Sequence, residues 1–296
     1  MGQPTLGIQR IGHNTQEAMR EIKKRINDAI GAHYPQGEVN ALARIIATEL
    51  LGLPQTTYFL NDPVTLTAEE ERKLGNALER LTKNEPIQYI LGYSDFCSLR
   101  FKVTPAVLIP RPETSELVEW VAQEADEKAK ILDIGTGSGC IAVSLSHKLK
   151  ASKITAWDIS PQALEVAKEN NKSNGCTVNF ELRDILTYEP EDEKFDIIVS
   201  NPPYIKELEK KEMDNNVLLW EPHLALFVPN ENPQLFYRTI AEKAVKMLPP
   251  GGKLFFEINR EHGKETCDML HMLGYTQITL RKDFDNNDRM IMAVKQ

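Results

Sequence analysis

Residues 130–139, with the sequence Lys-Ile-Leu-Asp-Ile-Gly-Thr-Gly-Ser-Gly, decide the fold of this chain. The first five residues fit a short buried strand, and glycines then occupy every second position. Glycine lets the backbone turn tightly and approach a ligand that a side chain would block. The stretch therefore predicts a strand followed by a ligand-binding loop, whose residues are Gly135, Thr136, Gly137, Ser138 and Gly139.

The continuation of the chain indicates which ligand this loop binds. A nicotinamide fingerprint would place its third glycine at position 140, where the chain has Cys140, and this counts against a dehydrogenase. The next apolar run ends at Asp158, about twenty residues further on, where a carboxylate can accept hydrogen bonds from both ribose hydroxyls. Asp158 could instead be the N-cap of a helix that starts near Pro161. With the glycine loop beside it, the ribose role is the favoured one, and the ligand is a nucleoside cofactor.

Two residues after the third apolar run complete the predicted cofactor site. Asp184 can accept a hydrogen bond from the exocyclic amine of adenine, and Ile185 offers an apolar wall for the ring. The alternative for Asp184, a carboxylate in an ordinary surface loop, stays open.

The second informative stretch is Ser200-Asn201-Pro202-Pro203-Tyr204, directly after the apolar run 195–199. The Asn201 side-chain oxygen and the Pro202 carbonyl can each accept one N–H of a planar amide or amine, while Pro203 has no donor of its own. Tyr204 can stack on the planar group. The alternative is that the stretch has only a structural role, as a proline-rich turn after a buried strand. Next to a cofactor loop, the stretch indicates methylation of a nitrogen by a sulfonium donor, with Asn201, Pro202 and Tyr204 as catalytic residues and Asn201 also beside the cofactor.

Strands and helices alternate from residue 130 onward. This alternation predicts an α/β fold with a mainly parallel, doubly wound sheet of seven strands that ends in a hairpin, as in class I methyltransferases. Ligands of such sheets bind outside the carboxyl ends of the strands, where both stretches fall. The predicted strands cover residues 130–134, 153–157, 177–182, 195–200, 253–258, 276–280 and 289–294.

The chain before residue 92 has a helical period instead. A first helix follows a possible Asn14 cap, a second one ends before Gly52, and a third begins at the capping box Thr67 to Glu70. We therefore expect a helical domain over residues 1–91, a β-hairpin connector over 92–112, and a catalytic domain over 113–296. The helical part has no catalytic pattern and is expected to recognise the substrate or a partner.

Composition excludes several classes of protein. The 296 residues carry a net charge of −8 and no dense basic stripe, which argues against a nucleic-acid partner. No apolar run approaches a membrane span or a signal sequence, so we expect a protein that does not contact membranes and lies in the cytoplasm. The four cysteines are scattered singly, and no metal site is expected.

Taken together, these motifs resemble the peptide chain release factor N5-glutamine methyltransferases (PrmC/HemK family). The resemblance spans almost the whole chain and is most specific where the Asn201–Tyr204 stretch combines with the segment Leu108 to Thr114, of sequence Leu-Ile-Pro-Arg-Pro-Glu-Thr. It implies S-adenosylmethionine as cofactor, release factors as partners, and transfer of a methyl group to the amide nitrogen of the glutamine in their Gly-Gly-Gln segment.

The sequence leaves some alternatives open. Asn-Pro-Pro-Tyr is shared with amino-methyltransferases that act on adenine or cytosine of nucleic acid, and this is the second hypothesis for the function. Arg111 either pairs with an acidic side chain or binds the protein substrate. Glu221 and Pro222 are expected to shape a lid over the substrate, and His223 either lines the cleft or is solvated.

Overall fold

The computed structural model describes residues 17–296, which divide into two compact units between Leu91 and Gly92. The possible cap at Asn14 lies outside the described residues. Within the described part of the chain, no helix has both the length and the apolar character needed to cross a lipid bilayer.

The first unit is helical, as its sequence period predicts. Its first helix buries Met19, Ile22, Ile26 and Ile30, which recur at steps of three and four residues and face one core. The capping box at Thr67 is formed with Glu70, whose backbone N–H donates to Thr67 Oγ1 at 3.2 Å. The elements are β1 (Glu17–Ala18), α1 (Met19–Ile30), α2 (Gln36–Ile45), a π-helical turn (Ile46–Leu50), α3 (Gln55–Leu60), β2 (Pro63–Val64), α4 (Ala68–Thr82) and α5 (Ile87–Leu91).

The second unit begins with the predicted hairpin, whose strands are β3 (Tyr93–Phe96) and β4 (Leu99–Lys102). Its two turn residues, Cys97 and Ser98, have φ of 49° and 62°, as a tight two-residue turn requires. The remaining elements are α6 (Thr114–Glu124), β5 (Lys130–Ile134), α7 (Cys140–Lys148), β6 (Lys153–Asp158), α8 (Pro161–Ser173), β7 (Val178–Leu182), β8 (Ile197–Ser200), β9 (Ile205–Lys206), a 3₁₀ helix (Glu207–Glu212), α9 (Asn215–Trp220), a second 3₁₀ helix (His223–Ala225), β10 (Phe227–Val228), α10 (Leu235–Met247), β11 (Lys253–Glu257), α11 (Gly263–Met272), β12 (Tyr275–Lys282) and β13 (Asp288–Lys295).

Seven of these strands form one sheet in the order β12-β13-β11-β8-β5-β6-β7. The five strands from β11 to β7 are parallel, and β13 runs antiparallel to both β11 and β12. The predicted seven-stranded sheet with a final hairpin is therefore confirmed. The chain order reverses between β5 and β8, so the carboxyl ends of these two strands form the position where ligands bind in such sheets.

The sheet separates two apolar cores. Neighbouring residues of one strand point to opposite faces, so Phe255 packs with α6 and α7 while Phe256 packs with α10 and α11. The buried strands are held from both sides, and this fixes the loops that follow β5 and β8.

Candidate active site

The glycine loop after β5 needs glycine for two different reasons. Gly135 and Gly137 have φ of 76° and 54°, which side chains rarely adopt, although a Cβ at either would meet no atom within 4 Å. At Gly139 a Cβ would lie 3.1 Å from the Cβ of Ala167, so α7 and α8 could not pack as closely. All three glycines have a positive φ, that of Gly139 being 81°, and the third glycine also serves helix packing.

Asp158 holds this loop in place from the end of β6. Its Oδ2 accepts a hydrogen bond from the Gly137 N–H, and its Oδ1 accepts one from the Ser160 N–H, both at 2.8 Å. The N-cap of α8 is Ser160, whose hydroxyl accepts from the Ala163 N–H. Asp158 is thus not the cap of that helix, and burial raises the pKa of its carboxyl.

A cavity of about 210 Å³ lies over the loop. It brings together residues that the sequence assigned to the cofactor from four different strand ends: Gly135, Thr136, Gly137, Ser138, Asp158, Asp184, Ile185 and Asn201. The structure leaves Gly139 outside the lining, in accordance with its packing role. The Ser138 hydroxyl oxygen is buried and has no hydrogen-bond partner in the protein.

A second cavity, of about 300 Å³, has Tyr204 and Glu257 in its wall. Asn201 and Pro202 line both cavities, as do Leu108, Arg111 and Ala225. Pro203 lines only the first cavity and Tyr204 only the second. The Asn-Pro-Pro-Tyr stretch thus forms a wall that the two cavities share, and burial raises the pKa of the Tyr204 hydroxyl.

Behind Asn201 lies a polar pair that the sequence did not predict. The Thr114 hydroxyl donates to Glu257 Oε2 at 2.6 Å, and the Asn201 side-chain nitrogen lies 3.5 Å from the same hydroxyl oxygen. Thr114 is 1% exposed and Glu257 fully buried. Burial raises the pKa of the Glu257 carboxyl to about 7, and the donors of Thr114 and Asn201 oppose that shift.

A buried ion pair connects two segments around the cavities. Glu221 is 3% exposed, and its two oxygens accept from the Arg111 guanidinium at 2.6 Å and from the Ile109 N–H at 3.1 Å. Arg111 therefore pairs with an acidic side chain, which was one of its two predicted roles. His223 is exposed, lines neither cavity, and contacts the Leu218 carbonyl oxygen, as a solvated loop histidine does.

Two further buried residues escaped the sequence analysis. The Asp133 Oδ2 accepts from the Thr136 hydroxyl at 2.6 Å beneath the glycine loop, and burial raises the pKa of Asp133 to about 7. Asn170 bonds to both the N–H and the carbonyl of Lys102 and to the Ser138 carbonyl. Asp133 and Glu257 could have been found in the sequence, because a charged residue inside an apolar strand is unusual. Asn170 gives no such signal, since it looks like any polar residue of a helix.

Comparisons with known proteins assign both units of the chain to one family. The PrmC N-terminal domain matches residues 17–92, and the Methyltransferase small domain matches residues 113–221. A release factor glutamine methyltransferase of Bacteroides thetaiotaomicron is 46% identical over 276 residues, covering 93% of this chain and 99% of the relative. The protein of the same name from Flavobacterium psychrophilum is 41% identical, covering 92% and 98%.

Among solved structures, a methyltransferase from Pyrococcus furiosus is similar over 75% of this chain and 98% of its own, with 18% identity and a TM-score of 0.49. The assignment itself rests on the curated relatives, whose identity extends over almost the whole chain. The resemblance inferred from the motifs is confirmed, and this chain belongs to the family of release factor glutamine methyltransferases, which are S-adenosylmethionine-dependent enzymes.

Proposed function

We propose that this chain transfers a methyl group from S-adenosylmethionine to the side-chain amide nitrogen (N5) of the glutamine in the Gly-Gly-Gln segment of bacterial peptide chain release factors. The observation that carries the proposal is the wall shared by the two cavities. Because Asn201 and Pro202 line both, an acceptor held by them in the second cavity meets a donor bound in the first. The names of the relatives support this choice of acceptor.

The residues around the first cavity fit the proposed cofactor. The backbone of Gly135 and Gly137 can lie close to the ligand because no side chain intervenes, and the unpartnered Ser138 hydroxyl can donate to it. Each Asp158 oxygen accepts one backbone N–H and keeps a lone pair for a ribose hydroxyl. Asp184 and Ile185 would hold the adenine by its amine and its face. When bound, S-adenosylmethionine supplies an electrophilic methyl group on a positively charged sulfur.

Asn201 and Pro202 would prepare the acceptor nitrogen. The lone pair of an amide nitrogen is delocalised into its carbonyl group, so the nitrogen is a poor nucleophile unless both N–H groups are held in one orientation. The Asn201 side-chain oxygen and the Pro202 carbonyl each accept one of them, and the fixed φ of Pro202 and Pro203 keeps these acceptors in place before the substrate arrives. Tyr204, in the wall of the second cavity, stacks on the planar amide.

Catalysis on this proposal comes mainly from positioning. Fixing two reacting atoms in line can contribute several kcal/mol, on the order of 7–11 for well-oriented intramolecular reactions. Asn201 lies where the two cavities meet. We therefore expect it to contribute to turnover more than to the affinity for the cofactor or for the substrate.

The first unit is proposed to recognise the release factor away from the reacting glutamine. A Gly-Gly-Gln tripeptide alone buries far less than the 1,200–2,000 Å² that stable protein complexes typically bury, about 800 Å² on each partner. In α3 the side chains of Phe59 and Leu60 are 64% and 71% exposed, more than apolar side chains of this size usually are. We place this second contact on the first unit, and we place the reaction in the cytoplasm, where release factors act.

Mass spectrometry of a purified release factor, incubated with this protein and S-adenosylmethionine, tests the proposal. We expect a mass increase of one methyl group on the Gly-Gly-Gln glutamine and none when that glutamine is replaced. Asn201→Ala should lower turnover by about a hundredfold, as loss of one preorganised polar contact does elsewhere, with little change in cofactor affinity. Labelling that survives replacement of the glutamine would exclude this glutamine as the acceptor, and methylation of DNA at a similar rate would favour the nucleic-acid hypothesis instead.

A surface variant tests the role of the first unit. Phe59→Ala combined with Leu60→Ala should raise KM for the release factor while kcat and cofactor affinity stay as in the wild type. The matched control is Met272→Ala, which removes a 73% exposed apolar side chain from the second unit. Equal KM values in the wild type and the double variant would place the second contact elsewhere.

A further inference from the structure

The amide of Asn201 has two nearly identical orientations, and the proposed reaction works in only one. Oxygen and nitrogen of the amide exchange places when the group turns by half a circle, and the shape of the side chain barely changes. Its neighbours must therefore select the orientation by hydrogen bonding. We propose that Thr114 and Glu257 are positioning residues that hold the Asn201 nitrogen toward themselves and thereby direct its oxygen to the acceptor nitrogen. This inference rests on the proposed function.

The direction of each hydrogen bond follows from the carboxylate. In its ionised form, present above its pKa of about 7, the Glu257 carboxylate only accepts, so the single hydrogen of the Thr114 hydroxyl goes to Glu257 Oε2, at 2.6 Å. The hydroxyl oxygen then has only lone pairs to offer on its other side, where the Asn201 side-chain nitrogen lies at 3.5 Å. The second oxygen of Glu257 is not bonded to Thr114 and is a further acceptor on this side.

In the opposite orientation the Asn201 amide would make unfavourable hydrogen-bond contacts on both sides. Its oxygen would point at the lone pairs of Thr114 and at the carboxylate of Glu257. Its N–H groups would face the N–H groups of the acceptor amide in the second cavity, which Asn201 and Glu257 both line.

The fold brings these three residues together from distant parts of the second unit. Thr114 is the first residue of α6, Glu257 is the last residue of β11, and Asn201 follows β8, the strand paired with β11. Thr114 and Glu257 lie within regular elements, and Asn201 is the first residue after one. Such rigid support suits a group that must be held to within about 10–20° of its productive orientation.

Substitutions at Thr114 test the pair through turnover. Thr114→Val keeps the size of the side chain and removes its hydroxyl, so kcat should fall at least tenfold; because Thr114 also lines the first cavity, kcat is measured at saturating S-adenosylmethionine. Thr114→Ser restores the hydroxyl and should recover most of the lost turnover. Thr114→Ala also removes the hydroxyl but leaves a smaller side chain. If the Val and Ala variants lose the same amount of turnover, the loss comes from the missing hydrogen bond and not from a change in packing. A Val variant with wild-type kcat would overturn the proposal.

A double-mutant cycle separates positioning from an independent role. In the Asn201→Ala background the Thr114→Val substitution should have no further effect, because the group that it orients is already gone. If the same tenfold loss appears in both backgrounds, Thr114 does not act through Asn201, and the inference is wrong.

A spectroscopic measurement tests this inference independently of the proposed function, because it needs no substrate. The side-chain amide resonances of Asn201 can be assigned by their disappearance in Asn201→Ala. They should shift in Thr114→Val and Thr114→Ala and keep their wild-type positions in Thr114→Ser. If the wild type does not methylate release factor, the proposed function fails while this measurement still tests the positioning. Unshifted resonances in the Val and Ala variants would exclude it.

Discussion

At the scale of single residues, Asp158 combines two tasks in one carboxylate. It fixes the glycine loop through the Gly137 N–H, and we assign its remaining lone pairs to the ribose hydroxyls of the cofactor. The loop contact is made by the protein itself, so the acceptor geometry exists before any ligand is bound. Substitution of Asp158 should therefore affect cofactor binding twice, through the lost acceptor and through a less ordered loop.

Asp158→Ala should weaken S-adenosylmethionine binding at least tenfold in titration calorimetry. Hydrogen bonds to a charged group contribute about 1.5–3 kcal/mol, and a tenfold change corresponds to about 1.4 kcal/mol. Asp192→Ala, which removes an exposed carboxylate from the loop before β8, serves as the control and should bind as the wild type does. Unchanged affinity in a folded Asp158 variant would remove this residue from the cofactor site.

At the scale of elements, α8 connects the hairpin to the glycine loop through Asn170. This residue is 1% exposed, and its side-chain amide bonds to the N–H and the carbonyl of Lys102 in β4 and to the Ser138 carbonyl. One side chain thus satisfies backbone groups of two segments that have no regular pairing with each other. The hairpin is thereby part of the support of the cofactor site.

Asn170→Ala should lower the free energy of unfolding by about 1–3 kcal/mol, the cost of leaving buried backbone groups without partners. Cofactor affinity should fall as well, because Ser138 lies in the wall of the first cavity. Chemical denaturation and calorimetry would measure the two effects. Lys172→Ala, at an exposed position of the same helix, is the matched control. Wild-type stability of the Asn170 variant would contradict the proposed connection.

The segment between β9 and β10 should depend on Glu221 in a similar way. Removal of Glu221 leaves the Ile109 N–H without its acceptor and the partly exposed Arg111 without its partner, and loss of such a hydrogen-bonded acceptor typically costs about 1–3 kcal/mol. Glu221→Ala should therefore speed amide hydrogen exchange in residues 207–220, whereas Glu212→Ala, at an exposed position, should not. Equal exchange in both variants would show that the ion pair does not hold this segment.

The sequence predicted the elements of the catalytic unit better than the contacts between them. The apolar run before Gly135 and the turn at Asn201 carry local signals, and the structure places both at the switch point of the sheet. Thr114 and Glu257 meet across 143 positions of sequence, and Glu221 reaches Ile109 across 112. Such pairs leave no periodic pattern, so only the folded chain reveals them.

At the scale of the whole molecule, two buried carboxyl groups connect stability to pH. Burial raises the pKa of Glu257 from 4.5 to about 7 and that of Asp133 from 3.8 to about 7. Each group has a lower pKa in the unfolded chain than in the folded protein. At a pH between these two values the folded protein keeps the proton, and the unfolded chain has released it. The free energy of unfolding must therefore decrease as pH rises toward 7, where both groups become charged in a buried site.

Glu257→Gln should reduce this pH dependence, because the amide stays neutral. One group contributes a slope of up to about 1.4 kcal/mol per pH unit, so the variant should gain on the wild type between pH 5 and 7. Urea denaturation at a series of pH values measures the difference, and Asp133→Asn offers a second, independent case. Parallel curves for wild type and Glu257→Gln would show that the carboxyl titrates near its ordinary pKa.

The position of β13 in the sheet has a consequence for protein synthesis. This strand lies between β11 and β12, and its residues, 288–295, are translated after every other strand of the sheet. Until they emerge, β11 presents an open apolar edge and β12 has no neighbour in the sheet, a state that favours association with other chains. A nascent chain interrupted just before residue 288 would carry the cofactor loop and the Asn-Pro-Pro-Tyr stretch complete. It would nevertheless be prone to aggregation. Protein quality control, and not its enzymatic activity, would determine its fate in the cell.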